Sequence, residues 1–168
     1  MMTSTDPAGT AIHFAQAINR HTPHTCRLIT TERVESFNCD YDLHVVYDNL
    51  QEARYLLQHS DVFHFHKSFE EELELGPYRV ADYVRGKRVV YHLHGHPRER
   101  GRSEWVRARL GRPGAVAVST PDLLELYPGA TWVPNLVPPH DVLYQPRRCD
   151  RTVTSTIHGD VCLVGHSP

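Results

Sequence analysis

Two short stretches carry the residues best suited to chemistry. "DVFHFHKSF" at 61–69 and "KRVVYHLHGHPRER" at 87–100 each run from apolar residues into alternating histidines. Side chains alternate along an extended chain, so His64 and His66 share a face, as do His92, His94 and His96 where extension persists. An imidazole can hydrogen-bond a sugar hydroxyl, exchange a proton near neutral pH, or ligate zinc or iron. A metal would need a further ligand, usually a carboxylate or a cysteine. The candidates are Asp61, at the beginning of its strand, and Glu70 to Glu72, in a polar loop. No metal ligand set is assigned on that basis. Packing and hydrogen bonding at the top of a sheet is the plainer account of His64 and His92.

These side chains act together only if a fold brings the two stretches side by side. "TAIHFAQAINRH" places Ala11, Phe14, Ala15 and Ile18 on one helical stripe, with Asp6 or Thr10 available to cap its start. "DNLQEARYLLQHS" at 48–60 opens with Asp48 and gathers Leu50, Ala53, Leu56 and Leu57 in the same way. "CRLITT", "DVFHFH", "KRVVYHLHG", "GAVAVST" and "ATWVPNLVPP" read as strands, while "EEELELGPYRVADYVRG" reads as a polar loop, a Gly-Pro break and a short helix. "SEWVRARLG" and "PDLLELYPG" read as further helices, the second with Pro121 in its first turn. Continuous apolar strands alternating with helices predict an α/β fold, a Rossmann-like parallel sheet with helices on both faces. Such sheets work beyond the carboxyl ends of their strands, where both histidine clusters and "DPAG" fall. "DPAGTA" sets Gly9 at a strand-to-helix turn that an anion can approach, although it lacks the spacing of a dinucleotide fingerprint.

Composition narrows the function classes. The chain has 168 residues, 40% of them hydrophobic and 23% charged, with a net charge of -2, which suits one globular domain and no nucleic-acid partner. Thirteen histidines make its charge sensitive to pH just below neutrality. Cys26, Cys39, Cys149 and Cys162 show no CxxC spacing, and the opening "MMTSTDPAGT" has neither a basic nor an apolar signal region. The expectation is a cytoplasmic protein with reduced thiols and no membrane span, peripheral contact with a membrane surface remaining open. After the polar stretch 138–158, "GDVCLVGHSP" has the character of a new strand and turn. The expected organisation is therefore a domain over 1–140, with a linker and the start of a truncated second domain over 141–168.

The order of these motifs resembles the N-terminal half of a GT-B glycosyltransferase of the family 4 type. "DVFHFHKS" looks like that family's "DVVHAH" strand, "RVVYHLHGH" is similar to its "VVYTLHG", and "AVAVSTPDLLELYPGATWVPNLV" looks like the segment leading to "VIPNGVD". Leu136 stands where the family usually has glycine, and Thr120 where it usually has glutamate. The resemblance implies transfer of a sugar from a nucleotide-sugar donor to an acceptor glycan or small molecule, with no further cofactor. It places His94 at the cleft histidine, the catalytic position, where it orients the donor sugar. It also puts Gly9, His66, His96, Ser119 and Asn135 around the substrate. The nucleotide site would belong to the missing C-terminal domain, so the chain alone is expected to be inactive. Two other readings stand beside it: a metal-dependent hydrolase using the strand-end histidines, and a non-catalytic module binding a sugar or nucleotide.

Overall fold

The computed structural model describes residues 1–3, 5–6, 8–32, 42–44, 49–66, 70–94 and 114–137. The chain divides into the units Met1–Val137 and Pro138–Pro168, and all the described residues lie in the first. The linker and second-domain start expected over 141–168, the helix expected in "SEWVRARLG", and His96 lie outside them.

Among the described residues, seven strands form one parallel sheet: β1 (Met2–Thr3), β2 (Ile29–Thr30), β3 (Leu43–His44), β4 (Val62–His66), β7 (Arg88–Leu93), β8 (Ala115–Val118) and β9 (Thr131–Trp132). A two-stranded antiparallel hairpin, β5 (Glu74–Leu75) with β6 (Tyr78–Arg79), lies between β4 and β7 in the chain. The helices are α1 (Thr10–His21), α2 (Leu50–His59) and the single turn α3 (Ala81–Val84). The sheet order is β3-β2-β1-β4-β7-β8-β9. The chain builds outward from β1 in one direction, then returns to its other side and builds the opposite way. The reversal falls between β1 and β4, and in open α/β sheets such a reversal opens a crevice at the carboxyl ends of the two strands.

The expected α/β fold with a parallel sheet is therefore observed, and helices pack on both of its faces. One face carries Phe63, Phe65, Val89, Tyr91 and Leu93, packed with Ala53 and Leu57 of α2 and with Val80. Burying an aliphatic or aromatic side chain of this size contributes about 1.5–3 kcal/mol, so this layer carries most of the folding drive. Ala11, Ile12 and Ala15 of α1 pack on Leu28 against the other face. The strands β4 and β7 depart from the expected continuous apolar runs. They pair in register from Val62↔Arg88 to His66↔His92, with apolar rings on the α2 side and imidazoles on the α1 side. That alternation is the half-polar pattern not expected of a fully covered parallel sheet.

Three local features differ from expectation. Leu43–His44 forms a two-residue strand that no turn signal announced. The Gly-Pro step is the turn of the β5–β6 hairpin: Gly76 takes φ 60, and a Cβ there would come 2.9 Å from Cδ1 of Leu50. Glycine at the first central position is what a two-residue hairpin turn favours. The cap of α2 is Asn49, whose Oδ1 accepts from the Gln51 N–H at 2.9 Å and the Glu52 N–H at 3.4 Å. Asp48 lies outside the described residues. Asn49→Ala should cost about 1 kcal/mol of stability in urea unfolding, and Asn49→Asp, which keeps an acceptor, far less.

Candidate functional site

The register of β4 and β7 decides the site. His66 and His92 are partners across the two strands, and His64 and His94 lie two residues from them on the same face. Four imidazoles therefore stack along the α1 side. Ring centroids lie 4.6 Å apart for His64 and His66, 4.9 Å for His66 and His92, and 4.6 Å for His92 and His94. Phe14 of α1 closes the stack from above, its ring 5.6 Å from that of His66 and 5.1 Å from that of His92. At the carboxyl end, His66 Nδ1 and His94 Nε2 share a hydrogen bond of 3.0 Å. His92 Nε2 lies 3.1 Å from the carbonyl oxygen of Val133. A carbonyl only accepts, so His92 Nε2 carries the proton and Nδ1 is left as a bare lone pair.

Burial sets the charge state. The His64 pKa is lowered to about 3, first by burial and then by the neighbouring positive charge of a protonated His92. Burial likewise pushes His66 far below its ordinary value, with His64 and His92 adding to the effect. His92 is lowered by burial too, with partial relief from its bond to Val133. All three are neutral at pH 7, so the stack avoids the repulsion that several imidazolium ions would create. The cost lies elsewhere. His64 Nε2, His66 Nε2 and His92 Nδ1 are buried without a hydrogen-bond partner among the described residues. Each atom of that kind ordinarily costs about 1–3 kcal/mol.

The residues expected around a substrate are distributed along the carboxyl rim. Gly9 follows β1, His66 ends β4, His94 follows β7, Ser119 follows β8 and Asn135 lies past β9. These are five consecutive strands of the sheet, spaced about 4.8 Å per step, so only neighbours in this order meet directly. His94 is half-buried, whereas His66 is 2% exposed and lies under it. His94 is the more exposed of the two rings, and the bond from His66 holds it. Ser119 is buried, its N–H donating to the Leu93 carbonyl oxygen at 2.9 Å and its own carbonyl accepting from Trp132 Nε1 at 3.2 Å. Asn135 is exposed, and His96 lies outside the described residues.

Gly9 takes φ 65 at the start of α1, a left-handed conformation that glycine adopts readily. The anion expected at this turn meets competition from the chain itself. Asp6, 5% exposed, accepts from the Ala11 N–H at 3.1 Å and the Ile12 N–H at 2.9 Å, filling the helix start with its own carboxylate. A phosphate there would face that negative charge. The proposed carboxylate ligands also lie elsewhere: Asp61 is at the amino end of β4, and Glu71 bonds the hydroxyl of Tyr91 on the opposite face. His92, read from the sequence as a packing residue at the top of the sheet, is the cross-strand partner of His66.

No family model, curated protein or solved structure matches the chain. No helix among the described residues is long and apolar enough to cross a membrane.

The depressed imidazole pKa values fix a pH dependence. His64, His66 and His92 face one another, His94, the ring of Phe14 and the amino group of Met1. In the unfolded chain each takes up a proton near pH 6.5, whereas folded His64 resists protonation down to about pH 3. The folded state is undiminished above pH 6.5. As pH falls, it loses about 1.4 kcal/mol per pH unit for each such histidine. Urea midpoints measured from pH 7.5 to pH 4.5 should fall steeply, and His64→Phe should flatten that fall.

Proposed function

We propose that the chain is the acceptor-side domain of a sugar-nucleotide-dependent glycosyltransferase, built on a Rossmann-like sheet of the GT-B kind. The observation that carries this reading is the His94 ring, held by His66 at 3.0 Å beside the strand-order reversal. Support also comes from the order of the three sequence motifs and from the alignment of Gly9, His66, His94 and Ser119 along one rim.

Sugar transfer needs an acceptor hydroxyl aimed at the anomeric carbon and stabilisation of the departing diphosphate. His94 serves the first need. Its Nε2 is engaged by His66, which fixes the ring at the carboxyl rim where an imidazole can orient a sugar hydroxyl. The left-handed turn at Gly9 lets an acceptor approach the backbone. The diphosphate would be met by a second domain, since the start of α1 is already occupied by Asp6. A hydrolase reading gains from the histidine cluster, but no carboxylate general base joins that cluster among the described residues.

The test is transfer from a panel of UDP-, GDP- and ADP-sugars, measured for this chain and for a chain extended through a second Rossmann-like domain. Turnover is expected only from the extended form. His94→Ala should lower its kcat about 100-fold, the scale of a lost positioning contact, in a protein that still unfolds cooperatively. Robust turnover by the short chain, or an unaffected His94→Ala, would overturn the proposal.

A further inference from the structure

We propose that His64, His66 and His92 form a binding site for a divalent first-row transition metal of the zinc type, held through three imidazole nitrogens beneath His94. The site stands independently of sugar transfer. Each of the three residues offers one ligand nitrogen, and these nitrogens lie within 4.8 Å of one another. A tetrahedral centre with bonds of about 2.1 Å needs nitrogens about 3.4 Å apart, so loading draws the rings together by roughly 1 Å.

The hydrogen bonds already prepare the rings for a cation. Metal-bound imidazoles characteristically donate their other N–H to a carbonyl or a further acceptor. His92 does so, Nε2 to the Val133 carbonyl oxygen, leaving Nδ1 bare and buried. His66 Nε2 is buried without a described partner while Nδ1 bonds His94. A cation on Nε2 would fix the proton on Nδ1 and make His94 Nε2 the acceptor. His92 is 0% exposed and His66 2%, so these are built interior groups and not surface histidines.

The donor set selects the ion. Imidazole nitrogen without carboxylate suits zinc, copper, nickel and cobalt, and disfavours magnesium and calcium, which need oxygen. Three protein ligands leave a fourth position for water or a substrate atom. A groove of about 1140 Å³ at the amino-terminal end of the sheet reaches the first of the three ligands, His64, with Cys26, Tyr55, Asp61 and Arg88 also in its wall.

The experiment uses the full chain, stripped with chelator and titrated with zinc chloride and with cobalt chloride at pH 7.5. One equivalent of zinc should bind, raising Tm with metal concentration, and cobalt should produce the visible absorption of a tetrahedral site. His64→Phe should weaken zinc binding at least 100-fold, whereas His21→Ala, at an exposed position, should bind as the unaltered chain does. Should His64→Phe fail to fold, X-ray absorption on the zinc-loaded unaltered chain decides: three imidazole ligands support the site. Failure to bind stoichiometric metal, fewer than three imidazoles, or equal binding by folded His64→Phe would overturn it. Calcium or magnesium binding in place of zinc would overturn it as well.

Discussion

The cross-strand pairing of β4 with β7 is the constraint on which the site depends. Because His66 stands opposite His92 and side chains alternate, one register places every imidazole on the α1 side and every large apolar ring on the α2 side. A slip of one residue in either strand would exchange those sets and bury histidines in the main core. Phe63, Phe65, Tyr91 and Leu93 therefore do more than stabilise the sheet. Their burial against α2 fixes where the histidines must go.

That arrangement places polar nitrogens in a poorly hydrated layer. The stack tolerates this because burial keeps its rings neutral, and because Phe14 packs edge-on against His92 at an interplanar angle of 75°. Neutral rings retain lone pairs, and burial makes these resist a proton while leaving them able to ligate a metal. The same physical cause thus underlies the acid sensitivity of the fold and its fitness for a zinc-type cation. At the upper end of the stack the bond from His66 to His94 carries this order to the rim, where a ligand would arrive.

The strand-order reversal and the histidine stack are adjacent but distinct. The reversal opens the rim between β1 and β4, and Asp6 occupies the start of the helix that follows β1. A buried carboxylate at that place makes the turn self-sufficient: its helix N–H groups are satisfied internally, and little positive potential is left for a phosphate. On the proposed function, the rim takes neutral hydroxyl groups near Gly9 and His94. Anionic groups would need a positive partner from another part of the protein.

Much of this was legible along the chain. Apolar periodicity located α1 over Thr10–His21, where the stripe Ala11, Phe14 and Ala15 is buried. Alternating histidines placed His64 with His66 and His92 with His94, since strand geometry is local. The parallel α/β class followed from strands alternating with helices. The two-residue strands Met2–Thr3 and Leu43–His44 are too short to show a period, and only their neighbours in the sheet make them strands. Asp6 and Thr10 were both legible as caps for α1, and only the turn through Gly9 decides that the Asp6 carboxylate takes the helix start. Above all, the meeting of the two histidine pairs, 26 to 28 residues apart in sequence, was decided by the register of β4 on β7. Periodicity assigns a side chain to a face; which faces coincide is set by long-range packing, and that is a property of the folded sheet alone.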